Sequence, residues 1–102
     1  MTFAVIIEAN AEREWREAAV WYDEREPGVG ARLNLAIRAV LQSLALQPER
    51  FPPATRLTHK AKVPPPWPCS VYFTVNQKHC EVKVLALWHG ARNPSKLRRR
   101  LK

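Results

Sequence analysis

The apolar run Val82–Trp88 ends on His89, and Arg92 follows shortly after it. A histidine is a general base near neutral pH, and an arginine is a permanent cation. Together with Lys60 and Lys62 they make a set able to cleave RNA: a base takes the 2′-hydroxyl proton, and cations stabilise the charge growing on the phosphorane. Arg56 and Tyr72 belong to the same candidate group. The set serves equally as a docking patch at which no bond changes. Each member also has a plainer role. His89 caps backbone groups at a strand end, Arg92 pairs with a first-helix carboxylate such as Glu17, and Tyr72 packs on a sheet with its hydroxyl in water. His59 shares the parity of apolar neighbours and reads as a partly buried, hydrogen-bonded histidine rather than a catalyst.

Other chemistries lack their residues. The chain has no glycine-rich phosphate loop, no paired-carboxylate motif and no cysteine–histidine metal spacing, so neither a metal nor a cofactor is expected. Two cysteines, Cys69 and Cys80, are too few for a disulfide scaffold and read as reduced, small apolar residues. The net charge of +8 is unevenly spread. Residues 1–50 hold six cations and eight anions, whereas residues 51–102 hold eleven cations and one anion, Glu81. Such polarity points to an acidic partner for the second half: nucleic acid, an acidic protein or an anionic surface. A solvated basic face is the plainer alternative. The tail cations Lys96, Arg98, Arg99 and Arg100 extend this positive field around Leu97 and would grip a phosphate backbone or an acidic helix. No apolar run approaches the ~18 residues that span a bilayer, and the first residues do not read as a signal peptide, so a cytoplasmic location is expected.

The elements that would position these residues follow from periodicity. Phe3–Glu8 is rich in branched and aromatic residues and reads as a strand. Asn10 is the expected cap of a helix in which Trp15, Ala18, Ala19 and Tyr22 form one stripe. A Pro-Gly break follows, then a second helix over about 31–46 with Leu33, Ile37, Val40 and Leu44 on its apolar side. The short break predicts an antiparallel helical hairpin. Residues 55–63, TRLTHKAKV, alternate as a strand with Leu57, Ala61 and Val63 on one face and Arg56, Lys60 and Lys62 on the other. PPPWP is a stiff connection. CSVYFTV and CEVKVLALWH then pair around NQKH. Setting Asn76 opposite His79 puts Cys80 against Val75 and Cys69 against Ala86, too far apart to bond. Val82–Trp88 is apolar on both parities, as a central strand covered on both faces would be. The fold class is therefore α+β: strand, two-helix hairpin, then a three-stranded antiparallel meander (β-α-α-β-β-β) with a short basic tail, all in one domain over residues 1–102. The helices shield one sheet face and leave the other as a basic landing surface.

These residues resemble, in order and over nearly the whole chain, the RelE/ParE superfamily of toxins from type II toxin–antitoxin systems. The carriers are AEREWREAAVWYDEREPGVGARL, LQPERFP, WPCSVYFTV through Trp67, Pro68, Val71, Tyr72 and Phe73, and VLALWHGARNP through His89, Arg92 and Pro94. The resemblance implies a cognate antitoxin as partner, often acidic where it covers the toxin. It implies one of two activities: ParE-like poisoning of DNA gyrase by protein binding, or RelE-like cleavage of mRNA on the ribosome. The His-x-x-Arg-x-Pro ending and the long hairpin look more like ParE. The cation that RelE-like nucleases often carry near the Tyr72 strand is replaced by Cys69-Ser70, and the tail after Pro94, SKLRRRLK, has no tyrosine or histidine. In the ParE-like case Arg56, Lys60, Lys62, Tyr72, Arg92, Lys96, Arg98, Arg99 and Arg100 bind the target. In the nuclease case His89 and Arg92 are catalytic and Lys60 and Lys62 support them. A plain basic nucleic-acid-binding domain is a third reading, set back by the absence of a recognition helix with clustered cations.

Overall fold

The expected order of strand, two helices and three strands is present, and the basic tail forms one short helix with Leu97 and Leu101 on its apolar side, as their spacing predicts. A computed structural model describes residues 2–90 and 92–101; Lys102, the last of the tail cations, lies outside them. The elements are β1 (Ala4–Ile7), α1 (Ala9–Arg25), α2 (Val29–Leu46), a short 3-10 turn (Pro48–Arg50), β2 (His59–Lys62), β3 (Cys69–Asn76), β4 (Glu81–His89) and α3 (Pro94–Arg100). The sheet order is β1-β4-β3-β2. β2, β3 and β4 form the antiparallel meander, and β1 joins β4 in parallel, so the sheet is mixed.

The hairpin is locked at its turn. Asp23 Oδ1 accepts hydrogen bonds from the Gly28 and Gly30 amides, so an α1 carboxylate caps the start of α2. Gly28 adopts φ +93°, a left-handed conformation that suits glycine. A Cβ on Gly30 would lie 2.5 Å from the Ala19 carbonyl oxygen, so only glycine lets the helices approach so closely. α1 starts one residue before the expected Asn10 cap, and its N-cap, Glu8, makes no side-chain cap bond. α2 is long and apolar enough to cross a membrane by length and composition alone, a property that a core helix shares. Here Leu33, Ile37, Val40 and Leu44 are its buried stripe and lie in the main core, as their spacing predicts. That core also contains Ala61, Val71, Phe73, Val82, Val84 and Leu87 from the sheet.

Three local expectations need correction. β2 spans only four residues, because Thr55 and Thr58 close a turn in front of it: Ala54 N donates to Thr58 O at 2.8 Å, and the two threonine hydroxyls share a hydrogen bond. Leu57, read as a core position, therefore stands 74% exposed, and Arg56 sits in the same exposed bend. The β3–β4 loop is longer than a pairing of Asn76 with His79 allows. Asn76 instead faces Glu81, with its side chain accepting from the His79 amide and Cys80 at φ +50° closing the loop. This loop and a one-residue shift of register further along set Cys69 opposite His89 rather than Ala86, and no disulfide joins the two cysteines. Finally, the sheet face opposite the hairpin is not wholly open. α3 lays Leu97 and Leu101 over Tyr72, Ala86 and Trp88, forming a second apolar cluster.

A register shift explains why β4 buries both parities. Phe73 pairs with Val84 but Tyr72 pairs with Ala86, so Leu85 is the extra residue of a bulge. Val82 and Val84 face the hairpin before the bulge, and Leu87 faces it after. Ala86 and Trp88 turn to α3.

Candidate functional site

Beyond Val84, where β1 ends its pairing, the outer edge of β4 has no neighbouring strand among the described residues. Unpaired backbone groups there need other partners. A glutamate and an arginine supply them. Glu14 of α1, 4% exposed, accepts from the Leu87 amide at 3.1 Å, and Arg100 of α3 donates to the Leu85 carbonyl. The two side chains also pair with each other: Arg100 Nη2 lies 3.0 Å from Glu14 Oε1, and Nη1 reaches Oε2. Arg92 adds a second guanidinium, with Nη1 3.4 Å from Glu14 Oε2 and the group 4.3 Å above the Trp88 ring. The expected partner Glu17 instead pairs with Arg13 on its own helix.

Beside this knot lies a cavity of about 280 Å3 between α1 and the end of β4, with Trp21, Tyr22, Leu87, Cys69, His89 and Arg92 in its wall. Tyr22 Oη and His89 Nε2 share a hydrogen bond at 3.2 Å, and Tyr22 meets Trp67 edge-on at 5.2 Å. Burial pushes the Cys69 thiol up to about 11, and burial followed by the neighbouring Cys69 raises the Tyr22 hydroxyl above its usual range. Both groups are protonated at neutral pH, so Cys69 is not an activated nucleophile. Trp21, 46% exposed, stands at the mouth with the Arg25 guanidinium 3.4 Å above its ring. Among the described residues no three His, Cys, Asp or Glu side chains gather to hold a metal.

The expected site residues divide between the two faces of the sheet. Residues paired across a ladder share a face. Lys60 faces Tyr72, and Lys62 faces Ser70, which in turn faces Trp88, so both lysines and Tyr72 are on the α3 side. Lys60 Nζ is 5.9 Å from the Tyr72 ring. His89 follows the parity of Leu87 and turns toward α1. The sheet therefore stands between His89 and the two lysines expected to assist it. Arg92 bridges the corner, lining the cavity while packing on Trp88 of the other face. Lys96, Arg98 and Arg99 are exposed on α3, whereas Arg100 is tied down at Glu14. His59 stacks on Phe73 and its Nδ1 lies 3.1 Å from the Phe51 carbonyl oxygen, the structural role its parity indicated.

Comparison with known proteins bears on this arrangement. The model of the ParE toxin of the type II toxin–antitoxin system parDE matches residues 5–94. The chain belongs to the ParE toxin family. Toxin RelE1 of Caulobacter vibrioides is 32% identical to this ParE-family toxin over 91 residues, which are 88% of this chain and 96% of the relative. The fold is shared with the toxin of the chromosomal ParDE system of Pseudomonas aeruginosa (TM-score 0.73, 15% identity, 85% of this chain and 95% of that one). It is also shared with the RelBE2 toxin–antitoxin complex of Mycobacterium tuberculosis (TM-score 0.63, 17% identity, 87% and 99%).

Sequence reasoning about this ParE-family toxin missed Glu14, Tyr22 and Cys69 as parts of the site. Glu14 lay hidden among the acidic residues of the first helix. Its one signal was spacing: it stands three residues from Ala11 and four from Ala18, on the side of α1 that faces the sheet.

Proposed function

We propose that this toxin is ParE-like: a single domain over residues 1–102 that acts in the cytoplasm, inhibits DNA gyrase by protein binding, and is neutralised by a cognate antitoxin. The observation that carries this reading is the division of the candidate groups by the sheet. His89 shares a hydrogen bond with Tyr22, Arg92 is held by Glu14, and Lys60 and Lys62 stand on the opposite face. The arrangement gives a contact surface with cations on two sides rather than one converging set around a phosphate. The family match over residues 5–94 supports the same side. The antitoxin would supply negative charge to the strongly cationic second half of the chain and cover the exposed Trp21 and Val20 of α1.

A second reading, a ribosome-dependent mRNA endonuclease, is favoured by the relative named RelE1 and by the fold likeness to the isolated Escherichia coli RelE toxin (TM-score 0.53, 18% identity, 98% of this chain and 99% of that one). Purified protein tests the two directly. Supercoiling by gyrase is expected to fall with toxin concentration, while mRNA on programmed ribosomes stays intact. Undiminished supercoiling at saturating toxin, with message cut in the decoding site, replaces the first reading with the second.

A further inference from the structure

We propose that Glu14 is the positioning residue of the Arg92 corner: its buried carboxylate fixes the direction in which that guanidinium is presented. The inference rests on the reading above, that this corner meets the target. A carboxylate this deeply buried needs full compensation. The fold's own requirement is already met by the Leu87 amide and by Arg100, which together occupy both oxygens and close the free edge of β4. Arg92 is a further donor beyond that requirement. Its side chain is 47% exposed, against 26% for Arg100, and it alone of the two lines the cavity beside His89. Trp88 supports one face of the guanidinium, and Glu14 holds one edge. Two contacts from different directions determine the orientation of a planar group, and the remaining N–H donors are left facing outward for an acidic side chain of the target. Two guanidiniums on one carboxylate also keep the corner net positive.

A double-mutant cycle separates positioning from simple stability. Glu14→Gln keeps the side chain's size and removes its charge, and Arg92→Ala removes the presented group. Each alone is expected to weaken inhibition of gyrase supercoiling roughly 10- to 100-fold, the loss of one charge-assisted contact. The double variant is expected to match Arg92→Ala within about twofold, because Glu14 acts through Arg92. Losses that multiply overturn the proposal. If Glu14→Gln does not fold, or loosens α3 by freeing Arg100, Glu14→Asp, which retains the buried charge on a shorter arm, takes its place under the same criterion. A second readout needs no target: guanidinium N–H exchange of Arg92 by NMR, expected to be slowed in the wild type and fast in the Glu14 variant. Unchanged exchange there overturns the positioning role even if gyrase is inhibited. Slowed exchange in a protein without effect on gyrase leaves the positioning role standing and removes the gyrase reading.

Discussion

The two faces of the sheet are stabilised by different physics. Beneath the hairpin, thirteen buried residues from both helices and three strands interlock, and Leu33, Leu44 and Phe73 are fully buried. Under α3 the cluster has five buried members, and a charged knot at Glu14 secures its outer end. Apolar burial is distributed, so the hairpin face tolerates adjustment by many small steps. The α3 face rests on a few apolar residues and a buried ion pair, which is costly to break from one side. The candidate recognition residues Arg92, Lys60, Lys62 and Tyr72 belong to the thinner layer or its rim. If these residues meet the target, as proposed, the binding surface is built on the layer with the smaller apolar core.

The strongest challenge to this comparison is truncation in the thick layer. Phe73→Ala empties a fully buried position stacked on His59 and meeting Phe51 edge-on and is expected to cost about 3–5 kcal/mol in urea unfolding. All amides should then exchange faster together. Leu97→Ala in the thin layer is expected to cost about 2 kcal/mol. Its exchange signature should be confined to α3 and the end of β4, with β3 amides unaffected. A Leu97 variant that speeds exchange throughout the sheet would show that the layers are one cooperative unit. The smallest effect concerns the boundary between hairpin and sheet, at Cys69. Its folded thiol titrates at about 11 against an ordinary 9.0. The folded chain keeps a proton that the unfolded chain releases between those values, so this group's contribution to stability falls as pH rises through that window. Cys69→Ala should therefore lose less stability than the wild type as pH rises from 9 to 11, measured by urea unfolding at each pH.

Much of this fold was legible in the chain because its signals are local. Heptad-like spacing at Leu33, Ile37, Val40 and Leu44 marks α2, the Pro-Gly break marks the hairpin, and the two-sided apolar run 82–88 marks the central strand. Each comes from side-chain period alone. Leu57 shows where period misleads. Its alternation with Ala61 looks like a strand, but Thr55 and Thr58 offer the backbone a turn, and four residues leave the sheet. The bulge at Leu85 has no mark in the sequence, since both parities there are apolar.

The site divides in the same way. That His89, Arg92 and the tail cations carry the chain's character was plain from residue type and order, because charge and ring chemistry belong to single residues. Whether they converge depends on register and on which residues cover each face, and those are properties of pairs far apart in the chain. Glu14 meets Arg92 and Arg100 across more than seventy residues. Only the folded chain reveals such an encounter, because a buried carboxylate is stable only where distant donors arrive together.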